Sequence, residues 1–228
     1  MAKNHLKRIA ASPLVTIKRK GITFMTRPNP GAHSIKEGLP LAVVIRDMLG
    51  KAKIMKEVKA IIHDNKVLVD GKRRHDQAHI IGLMDVVGFE EIKEYYRLLF
   101  DAKGVFYLAP VDEKEKNLKI CKITRKNMSN NSINLHTNDG RTFIVKEKSY
   151  NVGDSLLIDL PDQKIKQHIK FEAGNTVYIV KGKSIGKIGL LKEIKGNRID
   201  FEADKKMYES MKDYAMVVGA KESVIKIR

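Results

Sequence analysis

Gly182-Lys183-Ser184 has the ending of a phosphate-binding loop, in which backbone N–H groups cradle phosphates and the lysine reaches them. That loop needs a glycine five positions before Gly182, and Val177 stands there. Gly182, Gly186 and Gly189 also miss the dinucleotide fingerprint, because Ser184 occupies the second glycine position and no βαβ unit surrounds it. His75 and His79, with Asp76 between them, could share a helix face and ligate a metal, but no third strong ligand lies nearby in sequence. Beside Arg74 these histidines suit contact with solvent or phosphate. Asp154 and Asp159 could act as paired carboxylates, yet Gly153-Asp154 reads as a turn and Asp159 lies on a leucine-rich β run. Cys121 is the single cysteine, which excludes internal disulfides and all-cysteine zinc sites. No serine, histidine or cysteine shows nucleophile-elbow or base spacing. The expectation is a protein that is not an enzyme, with no catalytic residues, no metal and no cofactor.

What remains is charge. The 228 residues hold 44 Lys plus Arg against 27 Asp plus Glu, a net +17, while 43% hydrophobic residues suffice for folded cores. Residues 1–36 contain Lys3, Lys7, Arg8, Lys18, Arg19, Lys20, Arg27 and Lys36 and no acid, the first being Glu37. Such an arm repels itself unless a polyanion neutralises it, so its partner is nucleic acid or an anionic membrane. No amphipathic helix pattern supports the membrane, and the longest apolar run, Leu39 to Ile45, contains a proline and is far too short to span one. No apolar block follows the N-terminal lysines as a secretory signal would require, and Pro13, Pro28 and Pro30 oppose the long helix of a mitochondrial presequence. Ile17, Ile22, Phe24 and Met25 distinguish the arm from a solubilising tail. With 33 lysines to 11 arginines, the chemistry suits phosphate contacts and shape recognition more than bidentate reading of guanine.

The elements that would position these charges follow from periodicity. Leu41, Val44, Ile45, Met48 and Leu49 repeat at helical spacing, with Pro40 placed for the first turn and Gly50 for a stop. Met55, Val58, Ile61 and Ile62 predict a second helix ending near Asp64. Val67 to Val69, the Asp70-Gly71 turn and a strand from Met84 to Phe89 predict a hairpin region. Packed together, these elements would join Lys51, Lys53, Lys56 and Lys59 to Lys72, Arg73 and Arg74 in one positive face. Beyond Tyr95 short β runs alternate with turn dipeptides: 98–100, 105–111, 118–124, 133–136, 141–145 and 156–160, with Asp112 to Asn117 as a solvated loop. Asn130-Asn131, Asn138-Asp139-Gly140 and Pro161-Asp162 are among the turns. From Phe171 a third module carries Val177 to Val180, Leu190-Leu191 and closing strands at 198–202, 214–218 and 224–227. Its glycines at 182, 186 and 189 permit bulges and close backbone approach, and Lys181, Lys183 and Lys187 flank them.

A set of blocks spread along the whole chain resembles the S4e family of archaeal and eukaryotic small-subunit ribosomal proteins. These are His5 to Ala11, Arg27-Pro28, Pro30 to His33, Leu39 to Leu41, Asp70 to Arg73, Gly82 to Val86, Tyr96 to Leu98, Asp101 to Gly104, Lys119 to Ile123, Val152 to Ser155, Ile169 to Asn175 and Gly186 to Gly189. The resemblance implies an α+β, multi-module fold. It comprises a basic N-terminal arm over 1–36, an alpha-L type RNA-binding domain of two helices and a hairpin over 37–94, a central β-rich domain over 95–170, and a KOW-type small β barrel over 171–228. It also implies a cytoplasmic structural constituent of the small ribosomal subunit, present once per ribosome, that binds ribosomal RNA beside neighbouring ribosomal proteins. The expected RNA-binding residues are Lys3, Lys7, Arg8, Lys18, Arg19, Lys20, Arg27, Lys51, Lys53, Lys56, Lys59, Lys72, Arg73, Arg74, Lys181, Lys183 and Lys187. The rival readings are an RNA-modifying or processing factor and a KOW-type transcription regulator.

Overall fold

The structure, a computed structural model, describes residues 5–64, 67–129 and 132–227. It is mostly β with few helices and divides into two compact units, one of residues 1–99 and 105–117 and one of residues 100–104 and 118–228. Among the described residues no helix is long and apolar enough to cross a membrane.

In the first unit, β1 (Leu6–Lys7) pairs antiparallel with β2 (Phe24–Met25), so the basic arm is folded back on itself. β3 (Gly38–Pro40) leads into α1 (Leu41–Val43), which widens into a π turn over Val44–Met48. Pro40, expected inside the first helical turn, instead ends β3 with ψ 142°, and the helix starts at Leu41. The Leu49 N–H reaches Val44 O and the Lys51 N–H reaches Ile45 O, each at 3.0 Å, so the ladder loosens as the helix stops. The apolar run Leu39–Ile45 is buried throughout, which makes it core. α2 (Met55–His63) buries Val58 and Ile62, one turn apart, and leaves Lys56 and Lys59 exposed. The Glu57 carboxylate accepts the N–H groups of Lys53 (2.7 Å) and Ile54 (3.3 Å), satisfying donors at the helix start.

β4 (Val67–Val69) and β5 (Lys72–Arg73) form the expected hairpin, with Asp70 and Gly71 at φ 51° and 72°, the left-handed pair that a type I′ turn requires. The expected strand 84–89 is β7 (Val86–Phe89) alone. It follows β6 (Ile80–Gly82), which pairs with β3, and Met84 at φ 67° turns the chain between them. His75 and His79 lie in coil between β5 and β6, so the helix face that would have aligned them does not exist. β8 (Glu94–Phe100) and β9 (Phe106–Val111) complete a sheet of order β5-β4-β7-β8-β9. The 112–117 segment is a turn as expected, and it also covers Arg97, which is 0% exposed and donates to Glu115 O at 3.2 Å.

In the second unit, β10 (Leu118–Ser129), β11 (Ser132–Thr137), β12 (Thr142–Val145), β13 (Ser155–Asp159) and β14 (Lys164–Ile169) form a sheet of order β12-β11-β10-β13-β14. β10 serves two neighbours: Leu118 to Lys122 pair with β13, and Ile123 onward pairs with β11 beyond a register shift at Thr124. β14 escaped the hydropathy pattern because Lys164, Lys166, Gln167 and His168 interrupt its alternation. A second sheet, order β18-β17-β16-β15-β19, comprises β15 (Thr176–Ile179), β16 (Ile188–Lys195), β17 (Arg198–Ala203), β18 (Lys206–Met211) and β19 (Ala215–Gly219). The expected strand 224–227 is not a strand; Ile225 and Ile227 are buried without joining a ladder, and the charged segment β18 is the edge strand instead.

Two internal ties hold the second unit. Tyr178, 1% exposed, accepts the Phe100 N–H at 2.7 Å and donates to Phe100 O at 3.0 Å, fixing segment 100–104. Gly186, at φ 79°, packs against the Asp101 carbonyl so closely that no Cβ would fit. Lys122 of β10, 8% exposed, donates to Ala215 O (2.7 Å), Asp213 O (2.8 Å) and Lys212 O (3.1 Å), joining one sheet to the start of β19. Asp139, expected only as turn chemistry, is a buried carboxylate 3.3 Å from Lys119 and 2.6 Å from Arg141. Burial opposes its charge, but the two cations together with hydrogen bonds from Thr137 and Cys121 outweigh burial and set its pKa below the usual carboxylate value.

Candidate nucleic-acid interface

Lysine and arginine play different parts in the basic arm. Arg8 is 2% exposed: its guanidinium donates to Lys18 O at 3.0 Å and to Phe24 O at 3.4 Å, and it pairs with Asp47 at 3.4 Å. Arg19 donates to Arg8 O (2.9 Å), Ala11 O (2.8 Å), Ser12 O (3.0 Å) and Val15 O (3.3 Å). Most of these carbonyls lie in loops outside the strands, and the five-donor fork of arginine is the side chain able to satisfy several at once. Of the residues expected to meet phosphates, Arg8 is thus the one turned inward, its guanidinium engaged by backbone carbonyls and Asp47. Arg19 is likewise held by carbonyls. The loop they shape leaves Lys7, Lys18 and Lys20 exposed, and Arg27 half-buried. Lys3 lies outside the described residues.

In the rest of the first unit, Lys53, Lys56 and Lys59 are exposed at and along α2, and Lys72 and Arg73 are exposed at the hairpin. Lys59 and His63 line a cavity of about 220 Å³ with His75, Asp76 and Gln77, so the helix adjoins the segment that follows the hairpin. Acids interleave with these cations: Glu57 caps α2, and Glu90 approaches Arg73 at 3.7 Å. Arg74 is half-buried. Lys51 is tethered, bonded to the Glu94 carboxylate and 4.8 Å from the Phe89 ring centroid. The Lys51 and Tyr96 hydrogen bonds lower the Glu94 pKa.

In the second unit Lys181 and Lys183 are exposed on the loop between β15 and β16. Lys187 is engaged within the protein, its Nζ 3.4 Å from the Tyr208 ring centroid. Lys183, Ser184, Arg198 and Tyr214 line an open groove of about 360 Å³, where Arg198 is already paired with Glu209 at 3.0 Å. Sequence reasoning missed a row on the face of β10, β11 and β12, in which Arg125, Asn127, His136 and Thr142 are linked by hydrogen bonds of 2.9 to 3.3 Å. The period-2 alternation of these strands could have placed them on one face. Asp154, once a candidate acid–base partner of Asp159, instead accepts the N–H groups of Asn151 and Phe171, each at 2.9 Å, and contacts His168 at 2.7 Å. Among the described residues no three His, Cys, Asp or Glu side chains are grouped as metal ligands.

The Ribosomal family S4e profile matches residues 92–165, and the RS4NT domain profile matches residues 2–36. The small ribosomal subunit protein eS4 of Methanocaldococcus jannaschii is 40% identical over 99% of this chain and 98% of its own length. The corresponding protein of Methanocella arvoryzae is 38% identical over 96% of this chain and 95% of its own. The crystal structure of the 30S ribosomal protein S4e from Thermoplasma acidophilum superposes with a TM-score of 0.72 at 30% identity, covering 82% of this chain and 98% of that one. Identity sustained over nearly the whole length, together with the shared fold, shows that the chain belongs to the S4e family of ribosomal proteins.

Proposed function

We propose that this protein is a structural constituent of the small ribosomal subunit, one copy in each, where it binds ribosomal RNA beside neighbouring ribosomal proteins and supports translation in the cytoplasm without catalysing a reaction. The observation that carries the reading is the chain-long identity to archaeal small-subunit proteins. The acid-free arm of a chain with net charge +17 supports it independently. The modules in this reading are an arm over 1–36, an alpha-L type RNA-binding domain over 37–94, a central β domain over 95–170 and a KOW-type barrel over 171–228. Lys3, Lys7, Lys18, Lys20, Arg27, Lys53, Lys56, Lys59, Lys72, Arg73, Arg74, Lys181 and Lys183 meet phosphates, while Arg8, Arg19, Lys51 and Lys187 hold the surfaces that present them.

Binding of this kind draws on release of counterions condensed on the RNA, so its signature is salt dependence. Neutralising about six to ten phosphates makes affinity for small-subunit rRNA fall by roughly a thousandfold or more between about 50 and 200 mM salt. Filter binding across that range tests it, alongside sedimentation of tagged protein with the small subunit. A flat salt response, or protein that stays at the top of the gradient, would overturn the reading.

A further inference from the structure

The first unit contains a groove that the charge argument leaves unexplained. It encloses about 650 Å³ and is walled by Phe24, Pro28, Pro30, Ile35 and Met55, with Arg27 and Gln77 among its polar groups. Phe24 is 48% exposed and Ile35 37% exposed, although both are large apolar residues in a chain with buried cores to receive them. The groove is preformed. Two prolines stiffen the loop, the Asn29 N–H bonds Ala78 O at 2.9 Å, and Gly31 packs so tightly on Ile80 that a Cβ would stand 2.6 Å from Cγ2. His33 fixes the far end of the loop, 3.0 Å from the Asp85 carboxylate. On the ring side, the His5 ring packs against Phe24 at 5.5 Å and 60°. The nearby acid is occupied: Asp76 accepts the Asn29 amide at 2.6 Å and the Ala78 N–H at 2.8 Å.

We infer that this groove takes one unpaired nucleotide of the ribosomal RNA, its base stacked on Phe24 between the prolines and Ile35, with Arg27 beside the phosphate. Proteins distinguish RNA segments largely through unstacked bases laid on aromatic rings, and an aromatic face next to a cation in an acid-free arm is suited to that. The inference rests on the RNA-binding reading and adds to it a contact with an unpaired base that lysine–phosphate pairing cannot supply. The apolar lining would also admit a side chain of a neighbouring protein, but the arm that forms it carries charge of one sign only, which favours the polyanion.

Replacing Phe24 by Leu keeps apolar volume and removes the ring; replacing it by Trp keeps a ring. Binding of the full-length protein to small-subunit rRNA is measured against salt, with circular dichroism reporting folding. The expected result is about a tenfold loss for Phe24→Leu, an unchanged salt slope because no phosphate contact is removed, and recovery with Phe24→Trp. A photoreactive benzoylphenylalanine at position 35 should crosslink to a single unpaired nucleotide, and this readout stands if Phe24→Leu misfolds. Equal affinity for wild type and Phe24→Leu with the salt slope intact would remove the nucleotide subsite and leave general RNA binding standing. Crosslinking to a protein neighbour would assign the groove to a protein and overturn the inference. Wild-type protein with no salt-dependent RNA binding would overturn the broader reading instead.

Discussion

Lys122 is the side chain whose removal tests the packing argument most sharply. Burial pushes its pKa from the ordinary lysine value of 10.5 down to about 8, against the opposing pull of Asp213. In the unfolded chain the same group titrates near 10.4. Below pH 8 both states hold the proton. Between about 8 and 10.4 the unfolded state holds it and the folded state has released it, so the unfolded state binds more protons and stability rises with pH. The full span between 10.5 and about 8 corresponds to about 3 kcal/mol, most of it gained before pH 10. Lys122→Met keeps an unbranched side chain one atom shorter and cannot titrate. Urea unfolding followed by circular dichroism, at steps from pH 7 to pH 10, should therefore show wild type gaining about 2 to 3 kcal/mol relative to the variant, with every other titrating group cancelling in the comparison. The variant also leaves the carbonyls of Lys212, Asp213 and Ala215 without this donor, so it should be the less stable protein at the high-pH end. Curves that run parallel over the whole range would refute the claim that this ammonium is desolvated between the sheets.

Three further outcomes follow from the same geometry. Arg8→Ala should destabilise the first unit by about 2 kcal/mol, because the Lys18 and Phe24 carbonyls lose a donor and Asp47 keeps only its 2.8 Å pair with Arg46, whereas Lys7→Ala, at an exposed neighbour, should change the melting temperature little; equal losses in thermal melts would contradict the division of labour between them. Lys72→Ala with Arg73→Ala should leave unfolding within about 0.5 kcal/mol of wild type while lowering the salt slope of RNA binding by about 2, since both residues are exposed on the hairpin. Cys121 is 0% exposed and burial raises its thiol pKa well above the ordinary value, so a maleimide should label it only in denaturant; rapid labelling of the native protein would show that the core of β10 opens.

Sequence determined a great deal here because several signals are local. The acid-free arm is a statement about composition, the Asp70-Gly71 hairpin needs only a left-handed pair of residues, and α2 reads directly from apolar spacing. The resemblance to the S4e family likewise rests on short blocks in a fixed order. What tertiary structure decided is which cations are free. Arg8 and Lys7 are adjacent in sequence and alike in charge, yet one is 2% exposed and bonded to carbonyls ten and sixteen positions away while the other is exposed. Lys122 and Asp139 read as a strand lysine and a turn aspartate until the fold buries them, Lys122 against backbone carbonyls and Asp139 against Lys119 and Arg141. Edge strands β14 and β18 were illegible because their stability comes from ladder pairing with a neighbour and not from an apolar face of their own. Local pattern fixes what a segment can form; only the closing of distant segments determines whether a charged side chain faces solvent, a carbonyl or a phosphate.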